Sequence, residues 1–166
     1  MPLVSVGVRA EWRGHRSLPW NVDAAGLPPF SPSPLGLFQE RYASDPWKLL
    51  CCTICLNLCS GRALERVHED LFALWPTPLH MAGADVRDLE LVLTHLGMQR
   101  KRAVALRRMS LAYACWWDGE DPTDLPGIGR YGSDSYRIFV RHEYDLVPED
   151  KELKKYLFWR VASATL

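Results

Sequence analysis

From Leu35 onward, hydrophobic residues recur at the spacing of three and four positions that is typical of α-helices. The segment from Trp47 to about Cys59 is almost entirely apolar, which predicts a central helix buried on all sides. Residues 61–75 have one apolar face and predict an amphipathic helix that ends before two prolines. Further helices are predicted at 37–42, 85–94, 99–116, 130–143 and from 148–150 onward. No alternating pattern predicts a strand, so the predicted fold class is all-α.

The N-terminal part of the chain has a different composition. Prolines and glycines are frequent over residues 1–34 and no apolar period emerges, which predicts an extended or disordered lead-in. Residues 35–166 are predicted to form one domain. Of the 166 residues, 48% are hydrophobic and 24% are charged, which is ordinary for a globular domain with a substantial core.

The formal net charge is zero, with 20 basic and 20 acidic residues, so the chain is not a polycation that coats nucleic acid. Any binding to DNA would have to come from local basic clusters. Arg100 and Lys101 belong to such a cluster, a basic run with no acidic residue between His95 and Ser110. The alternative is an ordinary solvated helix face. No apolar run is long enough to span a membrane.

The run LPGIGRYG at 125–132 has the composition of a hairpin between two helices. Pro126 presets φ at the start of the turn, and Gly127 and Gly129 permit positive φ and close approach of the backbone. The amides after the turn open a helix, and such amides bind a phosphate oxygen without a charged side chain. We therefore expect a sequence-independent contact with a nucleic-acid backbone. The alternative is an ordinary turn between helices.

Asp150 is the candidate reactive group, because it follows the hairpin after one predicted helix and a short loop. At the start of a helix its carboxylate would face the groove, where amide dipoles favour the ionised form. The alternative is that Asp150, with Pro148 and Glu149, only caps the helix. Asp134, one turn after the hairpin, is a rival acid whose simpler role is also that of a helix cap.

Several motifs resemble, in order, those of the helix-hairpin-helix DNA glycosylase superfamily, and most closely the branch of the glycosylase domain of methyl-CpG-binding domain protein 4. The most specific motif is YGSDSYRIF at 131–139, and the resemblance covers residues 35–160. The other matching motifs are LFQE at 37–40, DPWKLL at 45–50, LN at 56–57, SG at 60–61, LG at 96–97, GIG at 127–129 and PED at 148–150. The resemblance implies a two-lobed helical bundle.

Members of this superfamily bend DNA, flip one nucleotide out of the stack and cut its N-glycosidic bond. The resemblance makes Asp150 the catalytic aspartate, which would stabilise the cationic sugar and orient the attacking water. Gln39 and Tyr131 match residues of the base pocket. Tyr131 stands where strand-cleaving relatives carry a Schiff-base lysine, which implies a monofunctional enzyme. Without the resemblance, Gln39 would be interpreted as a surface helix residue and Tyr131 as a partly buried core ring.

The resemblance also implies a set of DNA contacts. Leu58 replaces an arginine that fills the gap left by the flipped base, and a leucine can fill that gap by apolar stacking. Residues 96–98 match the turn that probes the orphaned partner base, with Met98 replacing a leucine. The residues predicted to contact DNA are Leu58, Ser60, Gly61, Leu96, Gly97, Met98, Arg100, Lys101, Gly127, Ile128, Gly129 and Arg130.

The expected function is excision of thymine or uracil opposite guanine, which leaves an abasic site. No cysteine follows Cys115, so the four-cysteine iron–sulfur cluster of some relatives is not expected. No cofactor is expected apart from an optional monovalent cation at the hairpin. The implied protein is a nuclear monomer whose partner is double-stranded DNA with a mismatched or deaminated base. The alternatives are a catalytically silent DNA-binding module and a glycosylase of another base specificity.

Overall fold

A computed structural model of the protein describes residues 32–164. Within this range the chain forms α-helices and no strand, which confirms the predicted all-α class. The helices are α1 (Phe38–Arg41), α2 (Pro46–Leu56), α3 (Gly61–Glu65), α4 (His68–Leu74), α5 (Pro78–Gly83), α6 (Val86–Val92), α7 (Gln99–Cys115), α8 (Arg130–Phe139) and α9 (Lys151–Ala164), with 3₁₀ turns at Leu93–Leu96 and Pro122–Asp124. The predicted lead-in over 1–34 lies outside the described residues except for its last three. Of these, Ser33 is buried and donates from N and Oγ to the Glu40 carboxylate.

Two hydrophobic cores organise the helices. The larger core joins side chains from α1 to α8 and from the hairpin. The smaller core consists of Leu49, Ile138, Phe139, Leu153, Tyr156 and Leu157. Helices α2 and α8 serve both cores, because Leu50 and Tyr136 point into the larger one while Leu49 and Ile138 point into the smaller one. This arrangement agrees with the predicted two-lobed bundle.

The central helix α2 begins as its sequence predicts. The Asp45 carboxylate accepts a hydrogen bond from the Lys48 amide at 3.1 Å, and Pro46 occupies the first helical position. Buried residues lie on all faces of the helix, which confirms the interpretation of its nearly continuous apolar run. Burial raises the pKa of the Cys51 and Cys55 thiols, in the latter case to about 12, so both stay protonated hydrophobic groups.

The single helix predicted over 61–75 is wrong, since two helices, α3 and α4, occupy this segment. The helix is interrupted at Val67, which has a non-helical φ of −123° and is buried in the core. A further helix, α5, was also missed because Pro78 was interpreted as a stop. Pro78 instead opens α5, and the Thr77 hydroxyl accepts from the His80 amide as its cap.

Helix α8 is shorter than the predicted span of 130–143, because it ends at Phe139. His142 adopts a left-handed φ of 54°, and the Glu143 amide returns to the carbonyl of Arg137. A helix end with this geometry usually carries glycine at the left-handed position. Here that residue is His142, so no glycine in the sequence marks the end of the helix. The loop that follows leads to α9 and brings Asp150 to the cleft described next.

Candidate active site and nucleic-acid interface

A cleft of about 800 Å³ opens where α1, the α2–α3 loop, α8 and the start of α9 meet. Three of the residues predicted to carry chemistry, Gln39, Tyr131 and Asp150, line this cleft together. They are far apart in the sequence, so only the fold brings them together. The remaining lining residues are Leu35, Gly36, Leu37, Phe38, Arg41, Leu56, Asn57, Leu58, Cys59, Ser60, Gly61, Arg62, Glu65, Lys151 and Glu152.

Asp150 is half-buried at the N-terminus of α9. Its Oδ1 accepts hydrogen bonds from the amides of Glu152 at 2.9 Å and Leu153 at 3.0 Å. The carboxylate therefore caps the helix, as the alternative interpretation expected, and it lines the cleft as well. Among the described residues no donor is bonded to Oδ2. One oxygen thus fixes the orientation of the group, and the other is left for chemistry.

Gln39 is buried and does not lie on the helix surface, which corrects the interpretation made without the resemblance. Its Nε2 lies 2.8 Å from the Tyr131 hydroxyl and 3.2 Å from the Ser135 Oγ. These two bonds hold the amide across the floor of the cleft. Ser135 was not predicted as a site residue. Its position four residues after Tyr131 on one helix is the signal that could have found it.

Tyr131 remains neutral at physiological pH. Burial, followed by the negative charge of Asp150, raises the pKa of the Tyr131 hydroxyl to about 12. The hydroxyl accepts from Gln39, and the ring forms part of the cleft wall. A neutral ring beside a carboxylate is suited to stacking against a flat, uncharged base.

The α2–α3 loop presents Leu58 to solvent with 87% of its surface exposed. Asn57 has φ −60° and ψ 114°, Leu58 has φ 57°, and the amide of Cys59 bonds to the carbonyl of Leu56 at 3.0 Å. These angles describe a type II turn with leucine in the position that glycine prefers. A left-handed leucine costs about 1 kcal/mol, and its exposure means that no core contact offsets the cost.

Ser60 and Gly61 follow this turn and form the rim of the cleft. The Ser60 Oγ accepts from the Ala63 amide at 3.3 Å and so caps α3. A Cβ at Gly61 would meet the Phe38 ring at 3.6 Å, an ordinary contact distance. Both residues therefore have local structural roles, and both remain accessible from the cleft.

A second, smaller groove of about 360 Å³ adjoins the cleft and is lined by the hairpin. Asn57, Leu58 and Tyr131 line both spaces, so the cleft and this hairpin groove are neighbours. The other residues of the hairpin groove are Thr53, Ile54, Met98, Lys101, Arg102, Ala105, Gly127, Ile128, Gly129, Arg130 and Gly132.

The hairpin uses its residues differently from the prediction. Gly127 has a φ of +83°, as expected for a turn glycine, but Gly129 has a φ of −102° that any residue adopts. A Cβ at Gly129 would meet no protein atom within 4 Å, so the space beside this residue is open. The Ile128 side chain is buried and its amide already bonds to the Leu125 carbonyl. The Ile128 amide is therefore not one of the free amides of the hairpin, and the predicted contact of Ile128 with DNA stays a prediction.

Helix α8 starts at the hairpin without a side-chain cap, since its N-cap residue is Gly129. The amides of Gly129, Arg130 and Tyr131 have no hydrogen-bond partner among the described residues. Unbonded amides at the positive end of a helix are able to bind an anion. Gly132 permits this close packing, because a Cβ there would lie 2.9 Å from the Ile128 side chain.

Arg130 lines the hairpin groove, and its guanidinium pairs with acidic residues. It bonds to Glu149 at 2.8 Å and to the Val147 carbonyl at 3.1 Å, and lies 3.6 Å from Asp134. It therefore links the hairpin to the loop that carries Asp150. Asp134 is buried beside it and is not a helix cap, and burial raises the pKa of its carboxyl. It does not line the cleft.

The predicted probing turn is only partly presented to solvent. The Leu96 side chain is buried in the larger core, and the predicted contact of this residue with DNA stays a prediction. Gly97 and Met98 follow with φ of 71° and 45°, and the Met98 side chain is 47% exposed. Lys101 lines the hairpin groove, whereas Arg100 lies outside it and 3.6 Å from Glu90.

Arg102 lies in the same basic run as Arg100 and Lys101, but it is buried. Its guanidinium donates to the carbonyls of Ile54, Asn57 and Gly97. No pattern in the run distinguishes it from its exposed neighbours, except that it falls on the apolar face of α7 beside Ala103 and Leu106.

Within residues 32–164, no group of three or more His, Cys, Asp or Glu side chains could hold a metal ion. The same part of the chain contains no helix with the length and apolarity needed to cross a membrane.

The chain is similar to several DNA glycosylases. It is 34% identical over 137 residues to a methyl-CpG-binding domain protein 4-like protein of Arabidopsis thaliana, a match that covers 81% of this chain and 30% of the relative. It is 27% identical over 99 residues to a thymine/uracil-DNA glycosylase of Pyrobaculum aerophilum, covering 56% of this chain and 43% of the relative. A thymine-DNA glycosylase of Aeropyrum pernix is 27% identical over 97 residues, with 55% and 44% covered. The chain thus spans less than half the length of these relatives.

Among solved structures, the chain resembles endonuclease III in a trapped covalent intermediate with DNA. The TM-score is 0.58 at 20% identity, over 64% of this chain and 52% of that one. At this identity the likeness concerns the fold. No family model matches the chain. Together these comparisons confirm the resemblance to the helix-hairpin-helix DNA glycosylase superfamily that the motifs predict.

Proposed function

We propose that this chain, which resembles helix-hairpin-helix DNA glycosylases in sequence and fold, is a monofunctional glycosylase specific for mismatched bases. It excises thymine or uracil opposite guanine from double-stranded DNA and leaves an abasic site. It acts as a monomer in the nucleus. The observation that carries the proposal is the presence of Asp150, Gln39 and Tyr131 in one cleft next to the hairpin groove.

Binding begins at the hairpin groove. The unbonded amides that open α8 take a phosphate, and Lys101 adds a positive charge beside them. These contacts do not depend on base sequence. Leu58 and Met98 are exposed next to this groove and enter the duplex from it, Leu58 in the gap left by the flipped nucleotide and Met98 near its partner base.

The flipped base occupies the cleft. The ring of Tyr131 provides a neutral stacking surface, and the Gln39 amide faces the polar edge of the pyrimidine. Gln39 discriminates among bases only if its orientation is fixed. Its bonds to Tyr131 and Ser135 support that role.

Asp150 acts on the sugar. As the bond between C1′ and the base nitrogen breaks, the base leaves with the electron pair and positive charge develops on the sugar. The carboxylate stabilises this charge, water attacks C1′, and its proton passes to Asp150. The base anion takes up a proton from solvent and Asp150 returns its proton to solvent, so the products are a neutral free base and an abasic site. Bonding of Oδ1 to the α9 amides supports this assignment because it holds Oδ2 in one direction.

The test is a cleavage assay on labelled duplexes with G·U, G·T and A·T pairs, with and without alkali. We expect strand breaks at G·U and G·T only after alkali, and none at A·T. Breaks without alkali would contradict the monofunctional assignment and direct attention to Lys151, the lysine that lines the cleft. Intact strands after alkali in all three duplexes would contradict the excision of thymine or uracil.

A further inference from the structure

Arg102 connects the two loops that carry the exposed hydrophobic side chains. Its Nη1 donates to the Ile54 carbonyl at 2.8 Å and its Nη2 to the Asn57 carbonyl at 2.9 Å. Its Nε donates to the Gly97 carbonyl at 3.0 Å. The first two acceptors belong to the end of α2 and its C-cap, and the third belongs to the turn before α7.

Two of these carbonyl groups belong to residues that directly precede an exposed hydrophobic residue. Asn57 directly precedes Leu58, and Gly97 directly precedes Met98. Leu58 and Met98 both have left-handed backbones, with φ of 57° and 45°. They are also both exposed hydrophobic residues at the hairpin groove. One guanidinium therefore holds the peptide group that precedes each of the two side chains.

Burial of the charged Arg102 guanidinium costs free energy of desolvation. The residue is only 4% exposed, and among the described residues no carboxylate forms an ion pair with it. Its hydrogen bonds to carbonyl oxygens and the negative end of the α2 dipole offset this desolvation cost. An uncharged side chain would be enough to fill the volume that Arg102 occupies. A planar fork that reaches three carbonyls in two loops is a property of arginine that lysine lacks.

We propose that Arg102 is a positioning residue that fixes Leu58 relative to Met98, so that the two side chains enter the duplex as one unit. This inference rests on the proposed function, because it assigns the way in which that site opens DNA. Loss of the guanidinium leaves the hairpin contact intact and separates the two insertions.

The first test measures the preference for opened DNA. The ratio of the Kd for a matched duplex to the Kd for a duplex with an abasic-site analogue is determined for the wild type, Arg102→Lys and Arg102→Met. Lys101→Met is the control, since Lys101 is the exposed neighbour in the same groove. We expect roughly tenfold loss of the ratio in both Arg102 variants, from the usual cost of removing hydrogen bonds to a charged group. Lys101→Met should weaken both duplexes equally and keep the ratio.

The second test separates positioning from simple stabilisation. Leu58→Ala and Met98→Ala are combined in the wild type and in Arg102→Lys, and the abasic-site preference is measured for each member of the two cycles. We expect the two losses to be non-additive in the wild type and additive in Arg102→Lys. Additive losses in the wild type, or equal coupling in both backgrounds, would overturn the inference. Additive losses in the wild-type cycle would overturn the inference even where an Arg102 variant fails to fold.

Failure of the proposed function would look different. In that case the wild type would prefer the abasic-site duplex and show the coupling, but would release no base from G·U or G·T. A wild type without any preference for the abasic-site duplex would overturn the inference, whatever its activity.

Discussion

The cleft and the hairpin groove share a wall at Leu58, yet they present different kinds of chemical group. In the cleft, the groups are side chains whose direction is set by hydrogen bonds, as at Asp150 and Gln39. The hairpin groove contains the start of a helix whose backbone amides have no side-chain cap. The comparison separates two tasks. Chemistry needs particular side chains, whereas a sequence-independent contact with phosphate needs only a backbone that can be approached.

The largest expected effect is in the cleft. Asp150→Asn should lower the single-turnover rate of base release at G·U by about 10²-fold or more, because the charge that stabilises the sugar is removed. Asparagine also caps helices, so α9 should keep its start and affinity for DNA should be retained. The matched control is Glu149→Gln, which changes an exposed neighbouring carboxylate outside the cleft. Comparable rates for the Asp150 variant and the wild type would remove Asp150 from the mechanism.

The hairpin groove should respond in the opposite way. Gly129→Asp places a capping carboxylate where no protein atom lies within 4 Å, so α8 should be as stable as before or more so. The same charge occupies the anion site, and affinity for any duplex should fall about tenfold. Thermal melting and fluorescence anisotropy measure the two effects. Gly129→Asn separates the cap from the charge, and undiminished affinity in the aspartate variant would show that phosphate does not bind here.

The smallest expected effect concerns Tyr131 at high pH. Its hydroxyl has a pKa of about 12 in the fold against 10.0 in the unfolded chain. The folded state therefore holds this proton more tightly, and the contribution to the free energy of unfolding is complete below pH 10 and is lost toward pH 12. Tyr131→Phe should lessen the alkaline loss of stability by about 1 kcal/mol, measured by urea unfolding over this range.

Tyr42→Phe is the control for this measurement. Burial raises the pKa of the Tyr42 hydroxyl to about 12 as well, but Tyr42 does not line the cleft. Both variants should flatten the alkaline loss, while only Tyr131→Phe should slow base release, since Gln39 then lacks its partner. An alkaline profile of Tyr131→Phe that matches the wild type would contradict the pKa given to Tyr131.

Much of this architecture is predictable from local patterns. The cap at Asp45, the hairpin and the start of α9 each have a short sequence signature, and the structure contains all three. For Asp150 the local pattern supported a cap, and the resemblance supported a catalytic group. The geometry accommodates both, because the two carboxylate oxygens have different environments.

What local patterns miss depends on contacts that are distant in the chain. Arg102 bonds to carbonyls 45 and 48 positions away, so the local pattern places it on the apolar face of α7 but does not reveal the partners of its charge. Leu96 belongs to the same motif as Met98, but only the fold decides that one is buried and the other exposed. Pro78 fits both a helix stop and a helix start, and the Thr77 cap decides between them.

The type II turn at Leu58 has a further consequence for the search along DNA. A loop that already has its working shape before contact loses little conformational entropy when it docks. The strain of that turn is already present in the unbound protein, so it does not reduce the free energy of binding. In the proposed function, such a loop favours brief contacts with intact base pairs and insertion of the leucine only where a base pair is weakened.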